Sequence, residues 1–150
     1  MLLDLFSTNP DWLQTVIRIT LGIVFFAHGA QKLLGWFGGA GLKQTMRTMH
    51  DSLGLPTPLA LLAIAAEFFG GLGLIVGLMS RIAAVGIGVI MLVAIYMVHG
   101  RNGLFLNWLG ERKGDGYEYH LLAIALAAEI VVRGSGAASL DRLVYSVIGA

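Results

Sequence analysis

The sequence predicts an all-α integral membrane protein: a four-helix bundle with a short amphipathic helix between spans one and two. Composition is the first observation behind this. Of 150 residues, 57% are hydrophobic and only 13% charged, whereas a soluble domain is about one-quarter charged. Mean hydropathy is +0.79. The second observation is the clustering of the apolar residues into blocks close to the roughly 20 residues that a helix needs to cross a bilayer. The third is that the long alternating segments of a transmembrane barrel are missing. A net charge of +1 gives no basis for a nucleic-acid partner. With no cysteine in the chain, disulfides, thiol redox chemistry and thiolate metal sites are excluded. The length suits one domain.

The first span is expected over residues 12–36, with Trp12 and Trp36 at its ends as interfacial anchors. The opening MLLDLFSTNPDWLQ has neither a basic n-region nor a small-residue cleavage site, so this first apolar segment is expected to stay as a helix. Between residues 38 and 57, Leu42, Met46, Met49 and Leu53 recur at helical spacing, with Lys43, Gln44, Arg47 and His50 on other faces. That pattern predicts an amphipathic helix lying on the membrane surface, stopped by Gly54 and Pro56. The second span, 58–79, can hold Pro58 in its first turn. Its Gly73 and Gly77 form a small-xxx-small pair, read as close packing inside the bundle, with a homodimer face as the sharper alternative. A tight turn at Met79-Ser80-Arg81 makes the third span, 82–98, an antiparallel partner of the second. The connection 99–116 is Gly-rich and charged, and its apolar FLNWL suits the membrane interface. The fourth span, 117–133, is the shortest. Ser139 then caps a last helix, 140–148. Lys43, Arg47, Arg101, Arg112 and Lys113 lie on the two long connections, against Arg81, Arg133 and Arg142 on the other side. The positive-inside rule therefore puts the long connections in the cytoplasm.

The polar residues within the spans carry the functional signal. At about 1.5 Å per residue, His28 lies about 12 Å below the interface marked by Trp36, and Glu67 about 13 Å below the same interface, counted from Pro58. Lys32 is one turn nearer the surface on the face of His28. His99, Glu118 and His120 sit where the other two spans meet that side. Together His28, Lys32, Glu67, His99, Glu118 and His120 predict a polar intramembrane pocket that opens toward the long connections. The bland alternatives are that Lys32 snorkels to headgroups and that His28 simply bonds a backbone carbonyl or Glu67. Ionisable groups in lipid cost several kcal/mol, about 2.5–3.5 on insertion scales, so groups at matched depth favour a site. In the opposite half, Arg18 and Glu129 fall at similar levels and are expected to form a structural ion pair. Glu118 and Glu129 are three turns apart and are expected to share an inward face. His50 and Tyr96 are read as surface and packing residues. No metal site is expected.

These residues also carry a family resemblance. Arg18-x-x-x-Gly22 and His28-Gly29-x-x-Lys32 come first. Pro58, Glu67-x-x-Gly70-Gly71, Gly77 and Arg81 come next. Gly116-Tyr117-Glu118-Tyr119 and Ser139-Leu140-Asp141 complete the series. In that order and spacing the chain resembles the DoxX family of small bacterial membrane proteins. The resemblance implies a four-helix bundle in the bacterial cytoplasmic (inner) membrane. The family takes its name from a subunit of an archaeal thiosulfate:quinone oxidoreductase. A mycobacterial relative is linked to a membrane complex with superoxide dismutase and a sulfurtransferase. The fold is also similar to that of vertebrate membrane chaperones and cargo receptors. Quinone-linked thiol oxidases of similar shape need a cysteine pair, which this chain lacks.

Two function classes result. The first is a redox-associated subunit without autonomous catalysis. It binds a quinone or lipid-like molecule between helices, His28 and Lys32 bonding the ligand's oxygen while Glu67 orients His28 or relays a proton. Its partners are the lipid bilayer, soluble or membrane redox proteins and a second copy of the chain. The second is a non-enzymatic scaffold, assembly factor or chaperone, with the Met46 helix and FLNWL as partner surfaces. Bis-histidine haem binding is disfavoured because His28 has no histidine at its own depth. A transporter is disfavoured by the absence of an inverted repeat.

Overall fold

The computed structural model describes residues 3–111 and 113–148. Arg112, a cation of the second long connection, and the first two residues of the chain lie outside the described residues. The described residues are helical and contain no strand. The long helices are α1 (Trp12–Leu34), α3 (Thr57–Val76), α4 (Ser80–Ala94) and α5 (Glu118–Arg133), with shorter α2 (Gly41–Leu53) and α6 (Leu140–Ile148). α1 packs on α3 and α5, and α4 packs on α5 and α3, which closes a ring of four. Three segments are long and apolar enough to cross a membrane: Trp12–Leu34, Thr57–Val76 and Ser80–Asn102. α5, at 16 residues, falls short of the roughly 20 needed.

Each helix has a local cause. Asp11 caps α1 by accepting a hydrogen bond from the Leu13 N–H at 2.9 Å, and Gly35 ends it with a positive φ of 76°. Trp12 and Trp36, at either end of this segment, are 69% and 52% exposed, as interfacial anchors require. α2 stops at Gly54, as its sequence indicates. Ser139 Oγ accepts from the Arg142 N–H at 3.3 Å, the capping bond expected for α6. α4 continues past Ala94 through a wide π turn, Ile95–His99, and a final 3₁₀ turn, Gly100–Asn102. A π turn inserts a residue and rotates the rest of the helix about its axis, and such turns often mark functional positions.

Glycines set the α1–α3 distance, though not the pair predicted. A Cβ on Gly71 would stand 2.3 Å from the Phe26 N, and one on Gly29 2.5 Å from the Phe68 Cα. The two backbones touch at these points, which places residue 29 beside residues 67 and 68. Gly73 and Gly77 instead build the turn after α3. Gly77 has φ 73° and closes the helix by donating to the Gly73 carbonyl, which also accepts from the Leu78 N–H at 2.9 Å.

The core divides into an apolar centre and a polar end. Leu21, Phe25, Leu74, Ile87, Ala127 and Ile130 form part of the centre. At the end where α1 begins, Gln14, Arg18, Ser80, Ser135 and Asp141 are all buried. The expected Arg18–Glu129 pair is not formed. Arg18 Nε donates to the Ser135 carbonyl at 2.7 Å and Nη2 to the Ala138 carbonyl at 2.5 Å. Nη1 donates to the Leu74 carbonyl and to the Ile75 carbonyl, the latter at 2.9 Å. Leu74 and Ile75 end α3, whose free carbonyls and negative dipole end suit a cation. Glu129 lies 3.7 Å from Arg133 Nε, one turn on along α5. The buried carboxylate near Arg18 is Asp141, which accepts from Met79 N at 2.7 Å, Ser80 N at 3.0 Å and the Ser135 hydroxyl. Arg81 repeats the device, donating to the Val131 and Val132 carbonyls at the end of α5.

Candidate functional site

The other half of the bundle holds a cavity of about 460 Å³. α1 supplies Phe25, His28 and Lys32 to its wall, α3 supplies Ala63 and Glu67, and α5 supplies Tyr119 and His120. α4 with its π turn contributes Ile90, Met97 and His99, and Met49 and Leu53 of α2 close over one side. The amphipathic helix therefore turns apolar residues onto the site.

Five of the six residues singled out in the sequence line this cavity: His28, Lys32, Glu67, His99 and His120. Glu118 is not among the lining residues. Its Oε1 accepts from the Leu106 N–H at 2.9 Å and so fastens the connection between α4 and α5. The inward face expected for Glu118 fails because α5 begins at this residue, within reach of the loop's backbone.

Lys32 turns inward rather than to headgroups. Its Nζ lies 2.5 Å from Glu67 Oε1, with the two side chains 31% and 4% exposed. Glu67 therefore has Lys32, one turn further along α1, and not His28 as its partner, although the contact of Gly29 with residues 67 and 68 keeps His28 level with Glu67. The ammonium's four-carbon stem covers that distance. His28 lies beside Tyr119, with ring centroids 6.4 Å apart. Tyr119 is 5.5 Å from His120, and His120 is 4.2 Å from His99. His99 Nδ1 lies 2.9 Å from the Asp115 carbonyl oxygen. A row of ring side chains thus runs along one wall, from the middle of α1 to the loop. Tyr119, which ends the Gly116-Tyr117-Glu118-Tyr119 motif, is a member not among the pocket residues expected from the sequence. It adjoins His120, but a tyrosine near a helix start is unremarkable by type, and only the packing of α1 against α5 brings it to His28.

Three buried polar atoms on these lining residues have no hydrogen-bond partner among the described residues: Glu67 Oε2, Tyr119 Oη and His120 Nδ1. Buried polar groups are normally paired, because leaving one unmade costs about 1–3 kcal/mol. An apolar cavity carrying a few polar side chains, here His28, Lys32 and His99, has the composition of a small-molecule site. Lys32 and Glu67 balance each other on its wall, and Asp115 adds a carboxylate at the loop end.

The chain is similar in sequence to known proteins. A family model described as DoxX matches residues 13–100. A Bacillus subtilis (strain 168) protein named "Putative oxidoreductase CatD" is 28% identical over 130 residues, covering 87% of this chain and 85% of that protein. An Escherichia coli (strain K12) protein named "Inner membrane protein YqjF" is 30% identical over 128 residues, covering 85% of this chain and 88% of that protein. No solved structure gives a significant match.

Proposed function

The chain belongs to the DoxX family of membrane proteins, and from that premise we propose that it binds a quinone or a similarly built lipid-like molecule in its intramembrane cavity. In this reading it is a multi-pass protein of the bacterial cytoplasmic membrane and a redox-associated subunit of a membrane complex. The observation that carries the reading is the cavity itself. Its apolar wall suits a hydrophobic ring or chain, and the His28, Lys32 and His99 side chains on its lining suit a polar head. Its volume falls within the range of about 300–1,000 Å³ typical of small-molecule sites. The relatives' names support the redox association and the membrane location, respectively. The lining side chains provide hydrogen bonds and orientation. Electrons would pass to or from a partner redox protein, so the subunit needs no catalysis of its own.

The test is native mass spectrometry of protein gently extracted from membranes, wild type beside His28→Ala. His28 lines the cavity and is exposed, so its truncation should leave the fold intact. A co-extracted quinone or lipid should be retained by the wild type and reduced about 3- to 10-fold in the variant, the worth of one hydrogen bond. Equal retention in both proteins, or no bound species in either, contradicts the reading.

A further inference from the structure

We propose that a second recess, beside the inner cavity, binds one anionic phospholipid, its phosphate held by Arg101 and one acyl chain laid over Leu53, Met97 and Val98. The site is separate from that of the inner cavity's own ligand and does not depend on it. The recess has a volume of about 700 Å³ and lies between the end of α2 and the π turn of α4. Leu53, Met97 and Val98 line both the recess and the inner cavity. Ser52, Tyr96, Arg101 and Asn102 complete the wall.

The π turn builds this wall. Tyr96 and Arg101 are five residues apart, which in a regular α-helix turns them about 140° from each other. The extra residue of the π turn narrows that angle, and both residues line the recess. Tyr96 is 89% exposed, and Val89, Leu92 and Val93 before it are 53%, 57% and 43% exposed. An apolar face that ends in a tyrosine and then an arginine follows the layers of a bilayer, from acyl chains to interface to headgroups. Arg101 is exposed, and its guanidinium has no hydrogen bond or ion pair among the described residues. Its planar fork of donors matches a phosphate. Among the described residues, Arg101 is the one charged side chain on the recess wall. The Asp115 carboxylate lines the inner cavity instead and accepts from the Asn107 N–H at 3.0 Å. The Asn102 amide is spent on the Asp115 carbonyl at 2.9 Å, while Ser52 brings a hydroxyl donor. A cation without a counter-ion beside three apolar side chains suits an amphiphile with an anionic head. A free anion or a neutral lipid would use only half of the site.

The experiment is native mass spectrometry of the full chain, delipidated in detergent and titrated with three probes. These are dioleoyl phosphatidylglycerol, dioleoylglycerol, which has the same acyl chains and no phosphate, and glycerol phosphate, which has the phosphate and no acyl chains. One phosphatidylglycerol is expected to bind at least about fivefold more tightly than either of the others, the yield of one arginine at a lipid headgroup. Arg101→Gln should remove that margin. Arg47→Gln takes an exposed cation from α2 that does not line the recess, and should keep it. The three-probe comparison on the wild type decides the matter even where a variant does not fold. A margin over dioleoylglycerol under about fivefold, or glycerol phosphate bound as tightly as the lipid, overturns the proposal. So do unchanged binding in Arg101→Gln and equal losses in the two variants. The cavity reading stands in each of these cases, because His28→Ala tests it separately.

Discussion

Replacing Arg18 by Met is expected to cost the fold about 3–5 kcal/mol, the usual result of removing one side of a buried charged network. The side chain is fully buried, and its guanidinium bonds to four carbonyls drawn from the end of α3 and from the segment leading into α6. Methionine fills much of the volume but leaves those carbonyls unpaired and removes the positive charge near the Asp141 carboxylate. Lysine should fall between the two, since one ammonium cannot reproduce the planar fork. Arg133 is the control. Its side chain is 49% exposed and its carboxylate contacts are 3.5 Å and 3.7 Å, so Arg133→Met should cost no more than about 1 kcal/mol. Thermal unfolding in detergent micelles reads both. Equal midpoints for Arg18→Met and the wild type would show that Arg18 does not anchor the helix ends.

The second large effect is expected at Gly71. An alanine Cβ there meets the backbone of Phe26 at 2.3 Å, and backbone cannot move aside as a side chain can. Overpacking of this kind costs typically about 1–3 kcal/mol. It should also push α1 from α3 and stretch the Lys32–Glu67 contact. Gly88 in α4 offers the contrast, because a Cβ there meets nothing within 4 Å. Gly88→Ala should melt like the wild type and Gly71→Ala well below it. If the two melt together, the α1–α3 register is wrong.

The range of the forces involved explains which features were legible in the sequence. Hydrophobic length is a local property, so the helical segments, the amphipathic Gly41–Leu53 helix and the final Leu140–Ile148 helix could be read with boundaries off by a few residues. Depth is nearly local too, and it puts His28 and Glu67 at one level with Lys32 one turn nearer the surface. Partner choice was not legible. The sequence pairs Arg18 with Glu129 because side chains are the only charges a sequence displays, whereas its partners are carbonyls exposed by a helix end and a turn. Glu118 was drawn inward by helical periodicity that does not apply where a helix begins. Gly77 was read as a packing residue although it closes α3, while Gly29 and Gly71 make the close approach. The π turn that carries His99 to His120, and the contact of His28 with Tyr119, depend on packing between α1, α4 and α5, for which no sequence interval gives a signal.

The central claim is that the cavity among α1, α3, α4 and α5 holds a hydrophobic ligand with a polar head. The most direct measurement is photoaffinity labelling in native membranes with a ubiquinone analogue whose ring carries an azide, combined with peptide mapping. The account predicts labels on the peptides containing His28, Glu67 and Tyr119, suppressed by excess ubiquinone-1. Labels confined to outward residues such as Leu62, Val85 and Leu92, which are 65%, 50% and 57% exposed, and unaffected by the competitor, would contradict it.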